Sequence, residues 1–292
     1  MLENHIVHSA KNLSGEIFVP GDKSISHRSL ILLSISTGKA NVKNFLESDD
    51  CIATSNILQK LGVKIRIDSN NTYSVEGVGL NGFKAPNENL DCGNSGTSMR
   101  LLCGLLSAQS FQSRLVGDTS LHGRPMDRIA IPLREMGAKI KLSSNNTAPI
   151  EINPTKEVLP IEYNMHIDSA QIKSAIILSS LYAKGKSKIT ENHKTRDHTE
   201  NILKHLGVDI LRKENTIIIN PPKKLISKDI VIPGDISSAM FFIVASLISE
   251  DSKILIENVS LNPTRTGGIE ILKMMGANIQ VIHKERDGPE IF

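Results

Sequence analysis

Apolar residues along this chain cluster at spacings of three and four, and four such clusters end at a glycine. Ile57-Leu58-Gln59-Lys60-Leu61-Gly62-Val63-Lys64-Ile65 is the first. The pattern returns at Pro132–Ile140, Ile202–Ile210 and Ile271–Ile279, with glycines at 62, 137, 207 and 276, steps of 75, 70 and 69. A helix with one apolar stripe that stops at glycine is the expected element, because glycine tolerates the left-handed conformation that closes a helix. The alternating residues after each glycine predict a strand.

A second landmark keeps the same period. Serine-rich helix starts fall near Ser24, Ser95, Ser169 and Ser237, at steps of 71, 74 and 68, each leading into an apolar run such as Leu30-Ile31-Leu32-Leu33 or Phe241-Phe242-Ile243-Val244. Serine suits an N-cap because its hydroxyl satisfies an orphan amide. A short β-rich stretch follows each helix: Ala40-Asn41-Val42, Ser113–Val116, Lys188-Ile189-Thr190 and Lys253–Ile256. Two landmarks with one period over four copies indicate an internal repeat, and the fold class is α/β.

Val19-Pro20-Gly21-Asp22 precedes the first helix start and Ile232-Pro233-Gly234-Asp235 the fourth. Pro-Gly marks turns, and these two read as crossings between domains. Residues 22–234 would form a complete three-repeat domain. Residues 1–21 with 235–292 would form part of a second, holding one repeat. If the two domains match, two further repeats are expected, and the chain reads as a truncated one.

Composition narrows the class. The 292 residues suffice for two ordinary domains, and 39% hydrophobic with 22% charged residues fits a globular protein. A net charge of +3, no Trp and 3% aromatics argue against nucleic-acid binding. The longest apolar stretch, Ala239–Ile248, is too short to span a bilayer, and Met1–Asn12 lacks the apolar segment of a signal peptide. Cys51, Cys92 and Cys103 lack metal spacing and read as buried thiols, so the cytoplasm is the expected compartment.

Candidate chemistry lies at the helix starts. In Gly21-Asp22-Lys23-Ser24-Ile25-Ser26-His27-Arg28, Ser24 and Arg28 share a helix face and Lys23 stands at its mouth, which suits an anion. A capped surface helix would give the same pattern. In Asp91-Cys92-Gly93-Asn94-Ser95-Gly96-Thr97-Ser98-Met99-Arg100, Gly96 lets a ligand approach the backbone, although a glycine-rich turn before a core helix also fits. Ser169-Ala170-Gln171 offers neutral hydrogen bonds or a plain cap. Arg124, in His122-Gly123-Arg124-Pro125-Met126, suits bidentate contact with carboxylate or phosphate, or a surface position. Equivalent places in symmetric repeats can face one centre, which would gather Lys23, Arg28 and Arg124 around an anionic ligand pair.

These segments together resemble the signatures of the 5-enolpyruvylshikimate-3-phosphate synthase family, along the whole chain. The resemblance implies the enolpyruvyl transferase fold: two domains of repeated βαβαββ-like units about a pseudo-threefold axis, here with the second incomplete. It implies transfer of the enolpyruvyl group of phosphoenolpyruvate to the 5-hydroxyl of shikimate 3-phosphate with release of phosphate, by a monomer without metal or cofactor. Lys23 would be catalytic and touch both substrates. Ser24, Arg28, Ser169, Ala170, Gln171 and Thr195 would hold shikimate 3-phosphate. Asn94, Gly96, Arg124, Gln171 and Arg100 would hold phosphoenolpyruvate. The general acid and base are expected beyond Phe292, with Asp49 and Asp50 structural, so the 292-residue chain is expected to bind without turnover. A catalytically dead binding fragment is one alternative. The transferase acting on UDP-N-acetylglucosamine is another, but it uses a Cys-bearing loop and His122-Gly123-Arg124-Pro125 has none.

Overall fold

Gly62, Gly137, Gly207 and Gly276 all adopt positive φ, at 94, 92, 84 and 93°. Each closes its helix with the same pair of hydrogen bonds. Around Gly62, the Val63 amide donates to the Leu58 carbonyl and the Gly62 amide to Gln59; Ala138/Gly137, Val208/Gly207 and Ala277/Gly276 repeat the arrangement. Two otherwise orphaned carbonyls are thereby satisfied at every stop, which is why glycine keeps the period.

The computed structural model describes residues 12–68 and 72–292. Except for Asn12, the N-terminal stretch read above for a signal peptide lies outside the described residues. The chain opens with β1 (Ser14–Phe18), α1 (Lys23–Ser34), β2 (Thr37–Lys43), α2 (Asp49–Lys60), β3 (Lys64–Ile67) and β4 (Tyr73–Val78). It continues with β5 (Leu90–Asp91), α3 (Gly96–Leu106), β6 (Ser113–Val116), α4 (Thr119–His122), α5 (Asp127–Glu135), β7 (Lys139–Lys141) and β8 (Ile150–Asn153). The third unit is β9 (Glu162–Asn164), α6 (Ala170–Ser180), β10 (Ser187–Thr190), α7 (His198–His205), β11 (Ile210–Lys213) and β12 (Thr216–Ile219). Then follow β13 (Ile230–Val231), α8 (Ile236–Ile248), β14 (Lys253–Glu257), α9 (Gly267–Met274), β15 (Arg286–Asp287) and β16 (Glu290–Ile291).

Three sheets share one plan, with orders β13-β2-β4-β3, β5-β6-β8-β7 and β9-β10-β12-β11. The first strand pairs parallel with the second, and the rest pair antiparallel. Each is a βαβαββ unit. The first unit takes its leading strand, β13, from the far end of the third. In return β1 pairs parallel with β14, supplying the leading strand of the fourth. The chain therefore exchanges strands where the two Pro-Gly-Asp motifs stand.

One apolar core runs from Ile25 to Ile232. The first helices of its units are buried almost all round: residues 25–34 of α1 without interruption, and all but Gln171 of α6. Among their buried polar side chains, Ser26, Arg28, Lys173 and Ser174 are hydrogen-bonded or ion-paired inside, and each fully buried Leu or Ile contributes roughly 1.5–3 kcal/mol. The second core is small: Val19, Ile236, Ala239 and Ile269. The equivalent helix α8 leaves Phe241 78% and Ile248 80% exposed.

Two expectations are corrected. No strand forms after Gly276, where residues 277–285 are irregular. In the other units that strand is held by an antiparallel neighbour; here, among the described residues, β14 pairs only with β1, and a backbone without a ladder partner keeps no strand. The caps also differ. Ser95 caps α3 by accepting from the Ser98 amide, but α1 and α8 are capped by Asp22 and Asp235, and the Ser169 hydroxyl makes no capping bond to α6. Cys51, Cys92 and Cys103 are free and buried. Among the described residues no helix is long and apolar enough to cross a membrane.

Candidate functional site

The N-terminal turns of α1, α3 and α6 meet. Arg28, on α1, is nearly buried; its Nε donates to Thr199 Oγ1 at 2.8 Å and Nη2 to Ser174 Oγ of α6 at 3.0 Å. From α6, Gln171 Nε2 donates to Thr97 Oγ1 at 3.0 Å, and its Oε1 accepts from Arg100 Nη1 at 2.7 Å, both on α3. The Ser98 hydroxyl of α3 donates to the Asp50 carbonyl at 3.2 Å, and the Asp50 carboxylate pairs with Lys23 Nζ at 3.1 Å. The circuit closes on α1. Three helix N-termini thus share one face, and helix dipoles directed at a common face favour anions.

Cations dominate it. Burial, then the charges of Arg128 and Arg124, pull Arg100 down to about 10. Burial and then Arg196 pull Arg28 down to about 10. Guanidinium groups keep their protons in proteins, so these shifts report positive charge that is only partly compensated and that a bound anion would relieve. Arg124 is aimed by Asn94: its Nη2 donates to Asn94 Oδ1 at 2.8 Å, and Asn94 Nδ2 donates to Asp118 Oδ2 at 2.7 Å. Gly96 lies directly beneath. A Cβ there would sit 3.1 Å from Arg124 Nη1 and 3.2 Å from Arg100 Nη1, so only glycine leaves both guanidinium groups where they are.

A model of the family described as EPSP synthase (3-phosphoshikimate 1-carboxyvinyltransferase) matches residues 7–289. This chain belongs to the EPSP synthase family. A 3-phosphoshikimate 1-carboxyvinyltransferase of Petrotoga mobilis is 47% identical over 281 residues, 96% of this chain and 65% of that protein. One from Coxiella burnetii is 50% identical over 275 residues, 94% of this chain and 63% of its own. The solved EPSP synthase of Acinetobacter baumannii superimposes with a TM-score of 0.92 at 45% identity, covering 97% of this chain and 64% of that one. The chain therefore spans just under two thirds of the length of these relatives.

Within the EPSP synthase frame, the structure brings Lys23, Ser24, Arg28, Asn94, Gly96, Arg100, Arg124 and Gln171 into the connected face just described. Ser169 and Ala170 open α6 at its edge, with the Ser169 hydroxyl not engaged in capping. Thr195 is differently placed. Its hydroxyl and its amide both donate to Glu191 Oε1, and Glu191 is buried. Burial pushes the Glu191 carboxyl up, but the Thr195 hydroxyl and the Lys173 charge outweigh it and hold it low. The one hydroxyl proton of Thr195 is therefore turned inward, away from the face.

Three features escaped the sequence reading. Arg196 places Nη1 3.3 Å from Ser24 Oγ and is itself depressed, by burial and then by Arg265. Thr97 orients Gln171. Lys173 is wholly buried between Glu191 at 3.1 Å and Glu200 at 2.8 Å, with Arg212 on the far side of Glu191. A signal for Arg196 existed: it precedes Gly207 by the same interval as Arg265 precedes Gly276, and both follow a threonine.

Proposed function

We propose that this face binds shikimate 3-phosphate and phosphoenolpyruvate and serves transfer of the enolpyruvyl group to the 5-hydroxyl of shikimate 3-phosphate. The carrying observation is the convergence of three helix N-termini with Lys23, Arg28, Arg100 and Arg124 around Gly96 and Gln171. Ser24, Arg28, Ser169 and Ala170, with Arg196 beside Ser24, would hold the shikimate and its phosphate. Asn94, Gly96, Arg100 and Arg124 would hold phosphoenolpyruvate, and Gln171 would touch both. Thr195, whose hydroxyl and amide both serve Glu191, is not counted among the groups that hold the ligand.

In that reaction the 5-hydroxyl adds to C2 of phosphoenolpyruvate as C3 takes a proton, and phosphate then leaves the tetrahedral intermediate. Charge on carboxylate and phosphate must be held through both steps, which fixed guanidinium and ammonium groups do without reorganising. Lys23, an exposed cation of the face, is the group for both substrates. The carboxylates bordering the face are engaged: Asp22 and Asp235 with Arg265, Asp50 with Lys23, Asp118 with Asn94 and the start of α4. We read the 292-residue chain as binding without turnover.

We divide it at the exchanged strands, with 22–234 as one domain and 1–21 plus 235–292 as part of another; the continuous core from Ile25 to Ile232 supports this. Three buried free thiols support the cytoplasm as its compartment. Calorimetric titration with shikimate 3-phosphate, then with phosphoenolpyruvate added, tests the reading. Saturable 1:1 heat that Arg28→Ala abolishes supports it. No heat with folded protein overturns it.

A further inference from the structure

Lys23 and Ser24 begin α1 immediately after a crossing, so whatever fixes the crossing fixes them. The two crossings pair reciprocally: the Asp22 amide donates to the Pro233 carbonyl at 2.9 Å and the Asp235 amide to the Pro20 carbonyl at 2.8 Å. They approach so closely that a Cβ on Gly234 would come within 2.7 Å of the Val19 side chain. Each aspartate caps its helix. Asp22 Oδ1 accepts from the Ile25 amide at 3.0 Å and Asp235 Oδ1 from the Ser237 amide at 2.8 Å.

One side chain joins the two caps. Arg265 Nη1 lies 3.0 Å from Asp22 Oδ2, and Nη2 lies 3.1 Å from Asp235 Oδ1 and 2.6 Å from Ser237 Oγ. Its side chain is 11% exposed and that of Asp22 is fully buried, so solvent screens the pair weakly. The Lys23 amide in turn donates to Asp235 Oδ2 at 3.5 Å. Arg265 is itself held, with its amide on the Asn262 carbonyl at 2.8 Å and Asn262 Nδ2 on Asp197 Oδ1 at 2.8 Å, next to Arg196.

We propose that Arg265 is a positioning residue for the anion-binding face: its forked guanidinium ties the caps of α1 and α8 together, sets the backbone at Lys23 and Ser24, and keeps both aspartates from neutralising Arg196. This rests on the proposed binding of shikimate 3-phosphate. The planar fork holds the two carboxylates in one fixed geometry, which an ammonium group on a flexible stem does not reproduce. Asp22 and Asp235 already act on Arg196, and without Arg265 they would compete with a ligand phosphate for it.

The test uses the 292-residue protein with Arg265→Met and Arg265→Lys, and two readouts. In calorimetry with shikimate 3-phosphate, Arg265→Met weakens affinity roughly tenfold or more, the scale of one charge-assisted contact, and Arg265→Lys recovers only part. Adding Asp235→Asn to Arg265→Met restores some affinity, because one competing carboxylate is gone; a merely structural role would make the double variant worse. Unchanged affinity in Arg265→Met overturns the proposal. The second readout needs no ligand. Amide exchange at Lys23, Ile25 and Ser237 rises in Arg265→Met while α3 and α6 stay protected, and unchanged exchange at those amides also overturns it. Should the wild-type chain not bind shikimate 3-phosphate, the functional reading falls and the exchange experiment alone decides the role of Arg265.

Discussion

Acidification from about pH 7.5 to about pH 5 is expected to destabilise this protein through one histidine in the first helix. His27 is fully buried, with Nδ1 2.8 Å from Thr54 Oγ1 and no hydrogen-bond partner for Nε2 among the described residues. Burial first, then the charges of Arg28 and Lys23, lower its pKa to about 3. In the unfolded chain it titrates near 6.5. Between those values the unfolded state holds a proton that the folded state refuses, so stability falls as pH falls. At pH 7.5 the effect is near zero. At pH 5 the linkage relation gives about 2 kcal/mol, equivalent to roughly 4–8 °C in melting temperature for a body of this size. His27→Asn keeps a polar atom where Nδ1 meets Thr54 but does not titrate. Urea melts of both proteins at the two pH values isolate the term as a double difference, which removes the contributions of all other groups. The variant should be about 2 kcal/mol less pH-sensitive than the parent. Equal pH dependence of the two would refute the assignment of His27 as a neutral buried group.

Gly96→Ala should leave the melting temperature unchanged or slightly raised, since alanine favours helix by up to about 1 kcal/mol. The same change should weaken phosphoenolpyruvate binding about tenfold in a calorimetric titration, because the new methyl displaces Arg124 and Arg100. Lys173→Met leaves buried Glu191 and Glu200 with Arg212 as their one cation among the described residues, and should cost roughly 3–5 kcal/mol in urea denaturation. The exposed Phe241 and Ile248 on α8 should bind an apolar fluorescent dye such as ANS, and Phe241→Ser with Ile248→Ser should reduce the signal.

The period of the fold was legible because one local requirement recurs at every helix stop: a left-handed residue whose amide closes the last turn. Gly62, Gly137, Gly207 and Gly276 carry it in any context. The proposed anion-binding face was legible in part, because Lys23, Gly96 and Arg124 stand in compact segments at helix starts. What closes the face was not. Arg28 meets Thr199 across 171 positions, and Arg265 meets Asp22 across 243. Nothing in either local sequence reports such pairings. The serine caps were misread at the crossings for a related reason: Asp22 and Asp235 each serve a helix and a distant arginine, which a hydroxyl does not match. The strand expected after Gly276 failed because alternation provides the face of a strand but not its neighbour.

The central claim is that the starts of α1, α3 and α6 form a single binding face for a phosphorylated polyol. Amide chemical shifts in the 15N-labelled chain, followed as shikimate 3-phosphate is added, test this most directly. The account predicts saturable shifts concentrated at Ser24, Gly96, Ala170 and Gln171, with Arg196 responding at the same concentrations. Shifts confined to one of these segments, or centred on α8 and α9, would contradict it.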